Sequence, residues 1–91
     1  MVPEGPEDPD QILRDVGRRI QELRQAVGLT QEQTAERLGI TVRALAYIEA
    51  GTRNLTLRAM TQIAGVLGVR TTDLLLPPAT RETRRGRPRK R

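Results

Sequence analysis

The stretch T30-QEQTAERLGITVRALAYIEA-G51 decides how this chain folds. It contains two short helical segments, each with its own start and stop signal, separated by three residues. Thr30 opens the first segment. Its hydroxyl can accept from backbone N–H groups of the first turn, and Gln33 stands where the reciprocal half of a capping box belongs. Gly39 falls where the helix must end in a left-handed residue, a conformation that costs glycine nothing. Thr41 and Gly51 bracket the second segment in the same way. Ala35, Leu38, Ile40, Leu45 and Ile48 mark the inward side. Ala35 is small where two helices cross closely, and Leu45 and Ile48 lie three apart on one face.

Outward from this centre, Ile12, Leu13, Val16, Ile20, Leu23 and Val27 recur at spacings of three and four. That spacing predicts one amphipathic helix over 11–27, capped by Asp10 and stopped by Gly28. On the other side, Thr56 is expected to cap a helix running to Leu67, with Met60, Ile63, Ala64 and Leu67 inward and Gly68 as its stop. Thr71 or Thr72 then starts a last short helix over Asp73 to Leu76, ended by Pro77-Pro78. The expected architecture is all-α: five helices around a core of Ile, Leu, Val and Ala. Residues 10–78 form the domain, 1–9 a disordered Pro- and acid-rich arm, and 79–91 a disordered basic tail.

Composition narrows the chemistry. The chain of 91 residues contains no Cys, His, Ser, Trp or Phe. Disulfides, zinc fingers, Cys or Ser nucleophiles and a His general base are all removed together. No pair of carboxylates shows the pattern of an active-site pocket, so an enzyme is not expected, nor is any metal or cofactor. No apolar run approaches the roughly 20 residues of a membrane span, and no signal-peptide apolar region is visible, so a cytoplasmic protein is expected.

The net charge is +5, and nearly all of the excess lies at one end. Residues 79–91 hold seven basic residues and one acid, whereas residues 1–78 hold nine and ten. Such asymmetry points to nucleic acid or another acidic partner for the tail; a cationic tail kept for solubility is the alternative.

Two capped helices joined by a tight turn, with a small residue and then a glycine at these positions, form the pattern of a helix-turn-helix. Over residues 17–76 the chain resembles the Cro and phage-repressor regulators, the xenobiotic-response-element family. The likeness is carried by GRRIQELRQAVGLTQEQTAERLGI, YIEAGTRNLTL, IAGVLGV and TDLLL. The resemblance implies a compact lambda-repressor-like domain that binds double-stranded DNA as a homodimer on a palindromic operator. It also implies a buried ion pair between Arg24 and Glu49. Thr34 departs from the family pattern, which places a larger aliphatic there; its hydroxyl must then bond a carbonyl one turn earlier.

In such a domain the second helix of the motif enters the major groove. Thr41, Val42, Arg43, Ala46 and Tyr47 then face the bases. Arg43 is the strongest reader, because its fork matches O6 and N7 of guanine, and Val42 suits a thymine methyl. Tyr47 either reaches a phosphate or base edge or packs on a neighbouring helix. Gln31 sits at a helix N-terminus, where backbone N–H groups and the dipole favour a phosphate, and the resemblance implies that its side chain grips the DNA backbone. Thr41, Arg53 and Asn54 are the further phosphate candidates. In the tail, Arg85-Gly86-Arg87-Pro88, followed by Arg89, resembles the AT-hook core that lies in a narrow minor groove. Non-specific phosphate binding and a targeting signal remain alternatives for that segment.

The function expected is a sequence-specific transcriptional regulator working at the nucleoid, with no small-molecule effector domain in this chain. An antitoxin-like interaction module and an architectural AT-hook binder are the alternatives. The operator, the target genes and the sign of regulation are not written in the sequence.

Overall fold

The computed structural model describes residues 6–79. Four α-helices follow one another: α1 Pro9–Ala26, α2 Gln31–Leu38, α3 Val42–Ala50 and α4 Leu57–Leu67. A 3-10 turn, Thr71–Leu75, closes the described chain. Helix α1 packs on α3, α4 and the 3-10 turn, while α2 packs on α3 and α4.

Local chemistry sets the boundaries. Thr30 and Gln33 form a reciprocal capping box, with the Thr30 hydroxyl accepting from the Gln33 N–H at 3.0 Å and Gln33 Oε1 accepting from the Thr30 N–H at 2.9 Å. Thr41 and Thr56 cap α3 and α4 by accepting from Ala44 and Ala59 N–H groups, each at 3.0 Å. Gly39, Gly51 and Gly68 end the three helices at φ of 73°, 78° and 75°.

Both ends of α1 and the last element differ from the sequence-based expectation: α1 stops at Ala26, with Val27 as its C-cap, one residue short of the expected bound. Helix α1 starts at Pro9, not Gln11, and its cap is Asp8, whose Oδ1 accepts from the Asp10 N–H at 3.0 Å. Proline is suited to the first helical position because the N–H it lacks would have no intrahelical partner there; the arm assigned to 1–9 therefore loses its last two residues to the helix and its cap. The expected fifth α-helix is a 3-10 turn, with Asp73 N–H donating to the Arg70 carbonyl at 2.9 Å. Asp73 Oδ2 accepts from the Arg70 N–H at 3.0 Å, which starts the turn earlier than Thr71 or Thr72 would. Pro77 forces Leu76 into extended backbone at ψ 150°, so a second turn cannot form.

The core gathers Val16, Ile20, Ile48, Met60, Ile63, Ala64, Leu67 and Leu74 from α1, α3, α4 and the 3-10 turn. Leu45 and Ala35 are buried where α2 meets α3. Gly17 sets the approach of α1 to α3: a Cβ there would stand 2.5 Å from the carbonyl oxygens of both Ile48 and Glu49. The 3-10 turn is fastened to α1 by Leu74, which is fully buried, and by the Arg19 Nε–H, which donates to the Asp73 carbonyl at 2.9 Å.

Candidate nucleic-acid interface

Helix α3 presents two unlike faces. Leu45, Ile48 and Glu49 turn inward and are buried, while Thr41, Val42, Arg43 and Tyr47 are exposed. Ala46 lies between the faces, half-buried. The Thr41 hydroxyl is occupied as acceptor by the Ala44 N–H, which leaves its own O–H to donate elsewhere. Arg43 makes no hydrogen bond or ion pair among the described residues, and α3 carries no acid in its first turn. An exposed, apolar Val42 beside an uncommitted guanidinium gives this face the two chemistries that read base edges, a forked donor and a methyl-sized apolar contact.

The pose of α3 is fixed from beneath by a polar network. Arg24 Nε–H donates to Glu49 Oε2 at 2.6 Å, and an Nη2 hydrogen reaches Glu49 Oε1 at 3.1 Å. Both residues are buried, at 7% and 8% exposure. Arg24 Nη1 also donates to the Leu29 carbonyl at 2.9 Å, so one guanidinium ties the end of α1, the α1–α2 loop and α3 together. Gln31 joins the same cluster, its Nε2 donating to Glu49 Oε1 at 3.0 Å. The Gln31 side chain therefore has a firm anchor inside the domain, and it retains one N–H that can point to solvent at the first position of α2.

Thr34 is fully buried, and its hydroxyl donates to the Thr30 carbonyl at 2.9 Å. That bond satisfies the one polar group the side chain carries into the interior.

Beyond α3, Arg53 and Asn54 are exposed in the loop to α4. Arg53 is folded back over Tyr47, its Cζ 5.6 Å from the ring centroid. Tyr47 itself is 44% exposed. Arg58, absent from the residues expected at the interface, is exposed in the first turn of α4 and adds a cation shortly after that loop. Its signal in the sequence is a basic residue two positions after a threonine cap. Gly17 likewise carries a signal that periodicity alone misses, since an isolated glycine inside an amphipathic helix marks a close packing contact. Arg85, Gly86, Arg87, Pro88 and Arg89 lie outside the described residues.

Known proteins share this fold. Residues 20–74 match the helix-turn-helix family model. An uncharacterized HTH-type transcriptional regulator of Archaeoglobus fulgidus is 36% identical over 58 residues, covering 64% of this chain and 83% of its own. The crystal structure of the restriction-modification controller protein C.AhdI from Aeromonas hydrophila superposes with a TM-score of 0.70 at 32% identity, over 75% of this chain and 99% of that one. The fold also forms part of an enzyme, hydroxypropylphosphonic acid epoxidase from S. wedmorenis, with a TM-score of 0.70 at 29% identity over 78% of this chain but only 37% of the epoxidase.

This chain belongs to the helix-turn-helix family. It is a DNA-binding transcriptional regulator of that type, matched over nearly the full length of the controller protein and over the smaller part of the epoxidase. No helix among the described residues is long and apolar enough to cross a membrane.

Proposed function

We propose that the protein recognises a specific DNA sequence as a homodimer, laying α3 in the major groove of each half-site. The observation that carries this reading is the outer face of α3, where Arg43 stands exposed and without an internal partner among the described residues. A guanidinium left uncommitted on a rigid, doubly capped helix is suited to bidentate recognition of guanine. Val42, Ala46 and Thr41 complete the base-reading set, and Tyr47 ends the same face. Gln31, Thr41, Arg53 and Asn54 take phosphates and so fix register. Self-association is supported by Leu75, which remains 55% exposed and lines a groove with Pro9, Ile12, Leu13 and Leu55, and by its neighbour Leu76, which is 50% exposed.

The basic segment 85–89 adds minor-groove or phosphate binding, consistent with its charge and with the extended Gly-Arg-Pro chemistry. Action at DNA places the protein with the nucleoid in the cytoplasm.

In-vitro selection from random duplexes, run with the full chain and with a chain ending at Ala79, tests the reading. A shared operator with two half-sites about one helical turn apart is the expected result. Enrichment of A·T-rich duplexes by the full chain, with no selection by the shorter one, would refute it in favour of tail-dominated binding.

A further inference from the structure

The loop leaving α3 is tied back to a single residue. The Thr52 N–H donates to the Tyr47 carbonyl at 3.1 Å, and the Thr52 hydroxyl donates to the same oxygen at 3.2 Å. The Gly51 N–H donates to the Ile48 carbonyl at 3.1 Å. These are the paired bonds of a Schellman closure, made possible by the positive φ of Gly51. The closure reverses the chain so that Arg53 returns over the helix it has just left, and its guanidinium settles on the Tyr47 ring.

Tyr47 is the one aromatic residue of the chain. It is not used to fill the core, since it stays 44% exposed. Its ring instead offers a face to a cation whose other interactions are absent among the described residues. A stacked guanidinium contributes only its face to the ring, and the five N–H donors around its edge stay available. Rotamer freedom that Arg53 would otherwise surrender on meeting a phosphate is in part already restricted.

We propose that Tyr47 is a positioning residue for Arg53, holding the guanidinium at the C-terminal end of α3 to meet a DNA phosphate, and that it does not itself read a base. This role rests on the DNA-binding reading and revises the place of Tyr47 within it. An exposed cation–π contact is worth about a two- to fivefold change in affinity.

The test has one arm without DNA and one with it, both on the full chain. In NMR spectra of the free protein, ring current should shift the Arg53 side-chain protons upfield, an effect kept in Tyr47→Phe and absent in Tyr47→Leu. In titrations of the selected duplex, Tyr47→Phe should bind within about twofold of the parent, whereas Tyr47→Leu should weaken every duplex by about two- to fivefold. Base preference should stay unchanged. Leucine in place of Tyr47 should cost nothing further once Arg53→Ala is present, and Arg53→Ala itself should lower the salt slope by about 0.9.

Equal weakening in the Phe and Leu variants would assign the effect to the hydroxyl and overturn the proposal. So would an undiminished cost of Tyr47→Leu in the Arg53→Ala background, or normal Arg53 shifts in the parent. A parent chain with shifted Arg53 protons that binds no duplex would refute the DNA reading instead, and the positioning role would fall with it.

Discussion

Replacing Glu49 with alanine tests the network under α3 most directly. The substitution removes both carboxylate oxygens that receive Arg24, at 2.6 and 3.1 Å, and the acceptor for Gln31 at 3.0 Å. Arg24 keeps only its bond to the Leu29 carbonyl, yet its guanidinium stays charged in a site that is 7% exposed. Stranding one member of a buried pair costs about 3–5 kcal/mol. Domains of this size are stable by only about 5–15 kcal/mol, so a third or more of the total can vanish. At about 4–8 °C per kcal/mol, the melting temperature should fall by more than about 10 °C.

The companion variant distinguishes a stranded charge from the simple absence of an attraction. Arg24→Met with Glu49→Leu removes both charges and fills the space with apolar atoms. It should recover most of the stability, because the desolvation of both ions disappears together with their attraction. Circular-dichroism melts and urea titrations of the parent, the single variants and the double variant supply the cycle. Salt supplies a second check, since a buried pair is screened far less than a surface one. A Glu49→Ala destabilisation below about 1 kcal/mol, or one that disappears at high salt, would mean that the pair behaves as an exposed ion pair and would refute the reasoning.

Other perturbations separate the remaining contributions. Gly17→Ala should destabilise by about 1–3 kcal/mol in thermal melts, because the added carbon meets two α3 carbonyl oxygens at 2.5 Å and α1 must move outward. Gly65→Ala, in the exposed interior of α4 with nothing within 4 Å of the new carbon, should stabilise by about 0.5–1 kcal/mol in the same assay. In competition binding, Arg43→Ala should relax the preference at one base pair by about 1–3 kcal/mol, while Arg53→Ala weakens all duplexes alike. Ending the chain at Ala79 removes seven basic residues and should flatten the dependence of log affinity on log salt, by about 0.9 for each phosphate no longer neutralised.

The parts of this fold that could be read from sequence are those governed by chemistry within four residues. Thr30 with Gln33, Thr41, Thr56 and the glycines 39, 51 and 68 place helix ends where the structure has them, because a cap is complete within one turn. Errors arise where two local signals compete. The cap expected at Asp10 falls at Asp8, because Pro9 takes the first helical position; Asp73 and Pro77 together confine the last element to a single 3-10 turn. An isolated Gly17 inside α1 signals a close contact, but its partner was not legible, since the α3 carbonyls it meets lie about thirty residues away in the chain. The same holds for the Gln31–Glu49 bond and for the stack of Arg53 on Tyr47, which exist only once the helices are assembled.

Of the contacts that orient the binding face, only the Arg24–Glu49 pair was implied by the family resemblance of the sequence. A helix as short as α3, with nine residues, gains little from its own hydrogen bonds and holds its position through tertiary packing. That support comes from three directions: Gly17 admits α1 against the α3 carbonyls, Arg24 grips Glu49 from below, and Gln31 reaches Glu49 from the start of α2. Glu49 follows Tyr47 by two residues and Arg43 by six, so any rotation of α3 that frees the carboxylate must also turn Arg43. Stability and recognition are therefore coupled through one side chain, and a Glu49 variant that stays folded at low temperature should still bind its operator more weakly than its folded fraction accounts for.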